Sequence, residues 1–436
     1  MTRRTTVALG FLGLILVGAV VLASPWARQE GTWGAPLTAL FTACSAVCVT
    51  GLTVVDIGRE FTREGLLALM VLVQLGCLGL MTLGTFLMIA VGRRLSLDSE
   101  FSLMNAYGIA AVKGLKGLTC WVVASMLVIE AAGAAALYPV FGDWFDACFY
   151  SIMGFCNAGF GFRPGSLANY GEWYPLLVMA LLTILGGIGF LVIYNLCTFR
   201  FLRRNTGGRG RLTLHTRVVL RFTLYLLVAA FAAFIAVEWN RSLASFDWPH
   251  KLIVGFYQAV TPRTCGFTVI PTESLQPITR LLYEALMFIG GAPGSAAAGI
   301  KVTTLAVLIY TLTAMCRGET ETVISRRTVS TEIVRESIVI FMALVVLAGL
   351  VYEALLLTES SEACAKDALF FEAVSAVTTT GLSVGSTTAS LSSAGKFVIM
   401  LAMFAGRLGA LTVVLMIGDR ESVRRVRFPS EELVVG

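Results

Sequence analysis

Long apolar stretches alternate with short polar connections along this chain. Apolar runs lie near residues 7–23, 64–92, 119–138, 174–199, 219–239, 280–316, 336–357 and 395–418. A helix needs roughly 20 apolar residues to cross a ~30 Å hydrocarbon core. The runs lack the two-residue alternation of a barrel strand. They predict eight membrane-spanning helices in an all-α integral membrane protein. The first run follows Thr2-Arg3-Arg4 without the clean cleavage site of a signal peptide.

Four further apolar segments, near 35–47, 145–155, 249–260 and 366–377, are too short to cross and are expected to be re-entrant helices. Asp143 and Asp146, Asp247 with Pro249, and Asp367 supply helix-start chemistry for the last three. Each segment ends in a glycine-centred turn. In order these read Val47-Cys48-Val49-Thr50-Gly51-Leu52, Phe155-Cys156-Asn157-Ala158-Gly159-Phe160, Arg263-Thr264-Cys265-Gly266-Phe267 and Val377-Thr378-Thr379-Thr380-Gly381-Leu382. The glycines are 108, 107 and 115 residues apart, so the unit of span, short helix, turn and span occurs four times in one orientation. Glu130, Glu238 and Glu353 precede the last three glycines by 29, 28 and 28 residues, each expected to close the outer end of its span. They are either water-facing helix ends or posts beneath the re-entrant helices.

The repeat divides the chain into 1–95, 96–205, 206–325 with a broken second span and an intramembrane loop at 290–300, 326–418, and a cytoplasmic tail at 419–436. Composition agrees with a membrane protein. Of 436 residues, 57% are hydrophobic and 14% charged, against about 25% charged in soluble domains. With the N-terminus inside, the inner loops carry 21 basic and 10 acidic residues and the outer loops and span ends 10 and 17. That asymmetry predicts cytoplasmic termini in a multi-pass protein of the cell membrane. Two histidines, and ten cysteines without a CxxC pair, argue against a zinc site or disulfide frame. A net charge of +6 distributed in this way does not indicate nucleic acid.

Irregular backbone at membrane depth must be buried in protein or line a water-filled cavity. Four glycine turns at one depth can present a ring of carbonyls that replaces a cation's hydration shell. The short helices would aim their partly negative C-termini at the same place. Candidate ion-binding residues are therefore Val49, Thr50 and Gly51; Asn157, Ala158 and Gly159; Thr264, Cys265 and Gly266; and Thr379, Thr380 and Gly381. Within the sixth run, Gly290, Gly291, Pro293, Gly294, Ser295 and Gly299 interrupt the helix, which leaves either a kink or a flexible plug. Lys301 follows the break, close enough to the inner surface to snorkel. Arg407 lies deep in the last span and needs carbonyl or carboxylate partners, and the broken span offers carbonyls. The glycine-rich Leu185-Gly186-Gly187-Ile188-Gly189 is expected to serve helix packing. A small-solute secondary transporter with its site at broken helices is the alternative function. A membrane enzyme would need convergent catalytic groups in the spans, which the sequence does not show.

Ser45-Ala46-Val47-Cys48-Val49-Thr50-Gly51-Leu52, Val260-Thr261-Pro262-Arg263-Thr264-Cys265-Gly266-Phe267, and Gly290-Gly291-Ala292-Pro293-Gly294-Ser295 followed by Gly299-Ile300-Lys301-Val302-Thr303-Thr304 resemble filter and loop motifs of the Trk/Ktr/HKT superfamily of potassium transporters. The resemblance covers nearly the whole chain. One span before the first filter fits the shorter Ktr-type channel subunit. The resemblance implies four M1–pore helix–M2 repeats in a pseudo-four-fold arrangement around one pore, with K+ at the filter carbonyls and potassium preferred over sodium. It further implies a gating role for the broken span, contacted by Arg407, and a homodimer in membrane lipid. The regulator it implies is a separate cytosolic RCK-type nucleotide-binding subunit (KtrA-like). No covalently bound cofactor is expected, and sodium is a candidate coupling ion. The chain departs from the family pattern at Cys156, at the three threonines of the fourth filter, and at Ala296-Ala297-Ala298.

Overall fold

The computed structural model describes residues 3–78, 114–163, 173–205, 212–359 and 364–409. Its principal helices are α1 (Arg3–Ala23), α2 (Pro36–Val47), α3 (Arg63–Cys77), α4 (Gly114–Phe141), α5 (Trp144–Cys156), α6 (Trp173–Ile188), α7 (Phe190–Asn205) and α8 (Leu214–Glu238). There follow α9 (Trp248–Val260), α10 (Pro277–Phe288), α11 (Val302–Cys316), α12 (Thr331–Thr358), α13 (Lys366–Val377) and α14 (Ser393–Leu408). A two-residue hairpin, β1 (Val323–Ile324) with β2 (Arg327–Thr328), joins α11 to α12. The inner part of the 64–92 run, the end of the 395–418 run and the 419–436 tail lie outside the described residues.

Three helices, Thr119–Phe141, Leu214–Glu238 and Thr331–Thr358, are each long and apolar enough to cross a membrane. The bent pair of α6 and α7 qualifies as a fourth span. The four short helices α2, α5, α9 and α13 have 12, 13, 13 and 12 residues. At 1.5 Å per residue that is about 18–20 Å, less than the hydrocarbon thickness. Each packs against the long helix before it: α1 on α2, α4 on α5, α8 on α9, α12 on α13. Each also meets the closing helix of the preceding unit. Helix α3 packs on α5, α6 on α9, and α10 on α13, while α14 returns to α2.

Local chemistry sets the helix starts. The side chains of Thr62, Asp143, Thr213 and Ser392 accept backbone N–H groups in the first turns of α3, α5, α8 and α14. Pro36, Pro249 and Pro277 occupy first-turn positions where no backbone donor is needed. Asp247 stands at its expected position before α9 but makes no capping hydrogen bond. Asp367 lies inside the first turn of α13, 3.4 Å from Arg280.

Two expectations are corrected. The 174–199 run is not one straight span: α6 and α7 meet at 93° across Gly189, whose φ is +91°. Of the glycines expected to serve packing, Gly186 does pack closely against Phe155 O, while Gly189 is where the helix breaks. The three phased glutamates are also not equivalent. Glu238 ends α8, buried, and accepts from Thr279 Oγ1 at 2.5 Å and from Gln276 N–H at 3.0 Å. Glu130 lies within α4, well before its end at Phe141, and accepts from Gln74 Nε2 at 2.5 Å. Glu353 is exposed. Equal spacing from the turns therefore did not give equal depth, because the connections after the three helices differ in length.

Candidate functional site

The four turns share one backbone conformation. The residue two before each glycine is left-handed: Val49 (φ 55°), Asn157 (57°), Thr264 (64°) and Thr379 (49°). Each glycine is left-handed too, at φ 92°, 66°, 79° and 83° for Gly51, Gly159, Gly266 and Gly381. Asparagine tolerates this region, but valine and threonine are β-branched and strained there. Such strain, of order 1–3 kcal/mol per residue, persists only where surroundings impose it, and it clusters at functional sites. The tie-down is a backbone hydrogen bond of 2.8–2.9 Å back to the short helix: Thr50 N–H to Ser45 O, Ala158 N–H to Met153 O, and Thr380 N–H to Ser375 O. In the third copy two extra residues follow the helix, and Cys265 N–H reaches Thr261 O at 3.1 Å instead.

The turns also touch one another in chain order. A Cβ built on Gly51 would collide with Ala158 O, and one on Gly159 would lie 3.0 Å from Cys265 O. One on Gly266 would lie 2.8 Å from Thr380 O, and one on Gly381 would collide with Thr50 O. The carbonyl preceding each glycine thus occupies the space a side chain would take on its neighbour, and the series closes. A cavity of about 640 Å³ opens onto all four glycines and is bordered by Thr53, Thr268, Glu273 and Ser383 among others. Among the described residues, the buried hydroxyls of Thr50, Thr264 and Thr379 have no hydrogen-bond partner. Cys265 turns its thiol outward to Thr183 Oγ1 at 3.2 Å, and Cys156 stands 3.6 Å from Glu130 Oε1.

The break in the sixth run has its own geometry. Helix α10 stops at Phe288 and α11 starts at Val302. The loop's two ends are zipped: Ile300 N–H donates to Phe288 O at 2.9 Å, Gly290 N–H to Ile300 O at 3.0 Å, and Val302 N–H to Gly291 O at 3.0 Å. Gly294 and Gly299 are left-handed, at φ 71° and 69°. Ser295 Oγ makes only a long 3.5 Å contact to Ala297 O. Pro293 presents its carbonyl to Gly189. Among the described residues, three cations reach the loop's carbonyls. Lys301 Nζ donates to Ala297 O at 2.6 Å, and Arg407 donates to Ala296 O at 2.7 Å and to Gly76 O at 2.5 Å. The third, Arg263, is buried and donates to Gly290 O at 3.4 Å.

The structure therefore brings together all twelve turn residues, and separately Lys301, Arg407 and the loop. Sequence reasoning missed Arg263, although a cation three residues before a turn glycine is a usable signal. It also missed Glu372, buried in α13, which accepts from Thr388 Oγ1 at 2.8 Å and from Ser383 Oγ. That carboxylate ties the segment after the fourth turn to its short helix.

A family model described as a cation transport protein, TrkH, matches residues 19–424. The chain belongs to that family, one of membrane ion transporters rather than enzymes. It is 34% identical to the Ktr system potassium uptake protein B of Bacillus subtilis, covering 100% of this chain and 97% of the relative. It is 32% identical to the potassium/sodium uptake protein NtpJ of Enterococcus hirae, covering 99% and 96%. The crystal structure of the potassium transporter TrkH from Vibrio parahaemolyticus superposes with a TM-score of 0.74 at 17% identity, covering 96% of this chain and 85% of that one, and shows the same fold. This is a multi-pass, mostly helical membrane protein.

Proposed function

We propose that this chain is the membrane subunit of a potassium-uptake system, a channel-like transporter with its filter at the four glycine turns. The carrying observation is the closed series of turns, each left-handed at the same two positions and each in contact with the next. Two left-handed residues in three rotate the peptide planes, so carbonyls line one side of the strand and can replace water around K+. The hydroxyls of Thr50, Thr264 and Thr379, unpartnered among the described residues, add ligands to that lining. The cyclic packing of short and closing helices supports a pseudo-four-fold arrangement of four repeats, eight spans in all, around one pore. The relatives named for potassium uptake supply the substrate class.

In this reading the loop 290–300 is the gate. Arg407 and Lys301 hold its carbonyls and place fixed positive charge on the cytoplasmic side of the filter, where it repels entering cations until the loop moves. The inner surface, rich in arginine, receives a cytosolic RCK-type nucleotide-binding subunit; the Ktr system names of the relatives, proteins B and D, support a system of more than one component. Both termini are cytoplasmic, the assembly is a homodimer, and sodium is a candidate coupling ion.

Rubidium uptake into liposomes containing the purified chain tests the proposal. Uptake driven by a negative interior and displaced by potassium well below the concentration of sodium needed is the expected result. Flux insensitive to potassium, or uptake of an organic solute instead, contradicts it.

A further inference from the structure

Among the described residues two spans are broken, and the breaks face each other. The end of α6 at Gly189 leaves the carbonyls of its last turn without the helical donors they would otherwise receive. The intramembrane loop leaves its own amides and carbonyls unpaired by helix. At membrane depth each such group must find a partner in protein. Ala292 N–H donates to Gly187 O at 2.9 Å, Ala296 N–H to Gly186 O at 3.2 Å, and Phe190 N–H, the first of α7, to Gly294 O at 3.1 Å. The fit is also apolar. Ala292 is fully buried with Val192 and Val219, and Ile188 and Leu220 close around them. Gly189 has φ +91°, and a Cβ there would lie 2.9 Å from Pro293 O and 3.4 Å from the Ala292 methyl.

We infer that the break between α6 and α7 is the seat that holds the intramembrane loop in place, with Gly189 as its positioning residue. The inference rests on the reading of the loop as a gate and adds a second hold to it, made by backbone from another repeat. Moving the loop away from the seat breaks three hydrogen bonds together, and no helical partner takes over the freed groups. The loop therefore leaves only when α6 and α7 change their bend or release it as a unit.

The test is rubidium leak from liposomes containing the purified chain, scaled to the amount of inserted protein. Gly189→Ala is strained by its φ and pushes on Pro293. It is expected to raise leak several-fold while the potassium-to-sodium flux ratio stays at the parental value. Gly349→Ala, in open space on α12, is the control expected at the parental level. A packing role alone lowers the yield of inserted protein without raising leak per molecule. If Arg407→Ala leaks and inserted Gly189→Ala does not, the seat is wrong and the gate stands. If neither leaks, the gate reading falls and takes the seat with it.

Should Gly189→Ala not insert, Val192→Cys with Ala292→Cys in the Arg407→Ala background decides. A thiol cross-link between the two is expected to lower the leak several-fold, with reduction of a cleavable linker restoring it. A cross-link that forms without changing flux overturns the seat.

Discussion

The four glycine turns and the loop of the sixth run are both irregular backbone between apolar helices, yet they are built on opposite plans. The turns are alike in all four copies: the same two left-handed positions, and the same contact from each glycine to the next copy's carbonyl. The loop exists once among the described residues. Copies one, two and four place a closing-helix glycine (Gly76, Gly186, Gly406) against a C-terminal carbonyl of their own short helix: Val47 O, Phe155 O and Val377 O. At the corresponding place the third copy has Gly291, which faces Gly187 O and the loop instead. On the reading proposed above, a filter that surrounds an ion gains from equivalence, and a gate that moves gains from being singular, since its displacement leaves the other three copies in place. The fixed cations follow the same division. Arg407, Lys301 and Arg263 all donate to the one loop.

Perturbations of the loop should therefore change rate, and perturbations of the turns should change which ion passes. The largest change in rate is expected from deleting residues 293–297, which removes the carbonyls held by Arg407 and Lys301 and two of the three seat contacts. Rubidium leak should rise by well over ten-fold, with selectivity retained. Unchanged flux would reduce the segment to a kink. Arg407→Ala comes next. Charge-assisted hydrogen bonds contribute ~1.5–3 kcal/mol each net, so losing one or both shifts a closed–open equilibrium by about ten-fold or more. Leak assays on inserted protein check this, and a variant that inserts but leaks no more than the parent breaks the comparison. Arg407→Lys should fall between, since lysine keeps the charge but loses the planar fork that spans Ala296 O and Gly76 O. Arg263→Gln sharpens the contrast, because Arg263 belongs to a turn by sequence and to the loop by contact. Its single long bond predicts a smaller rise, about two- to five-fold for ~0.5–1 kcal/mol, accompanied by a measurable shift in the potassium-to-sodium ratio. A shift in rate alone would assign it to the loop.

Much of this organisation was legible in the chain. The turns announced themselves because glycine at a fixed phase after a helix too short to span has few other uses. The break at 290–299 was legible because Pro293 and four glycines cannot continue a helix. Arg407 was legible because a deep charge must have a partner, and carbonyls of the broken span are among those it found. What stayed hidden depended on partners distant in sequence. Gly186-Gly187-Ile188-Gly189 has the composition of a packing surface and of a break alike, and the choice is made by Ala292, Gly294 and Ala296 about a hundred residues on. Glu130 matches Glu238 in phase but not in depth, because α4 continues to Phe141 while α8 ends at the glutamate itself. Asp247 had the right residue type for a cap, but its side chain makes no such bond.

The central claim is that the four turns act as one ring, and the potassium-to-sodium permeability ratio of single serine variants tests it most directly. Gly51→Ser, Gly159→Ser, Gly266→Ser and Gly381→Ser would each be reconstituted and the ratio taken from reversal potentials under bi-ionic conditions. A Cβ disfavours the left-handed φ and meets the next copy's carbonyl, while the hydroxyl offers a competing ligand. The account predicts a fall in the ratio at every one of the four positions. It predicts a larger fall at Gly51 and Gly381, where the carbonyl stands closest, than at Gly159 and Gly266. A parental ratio at two or more of the positions, in protein that inserts and conducts, would contradict the ring.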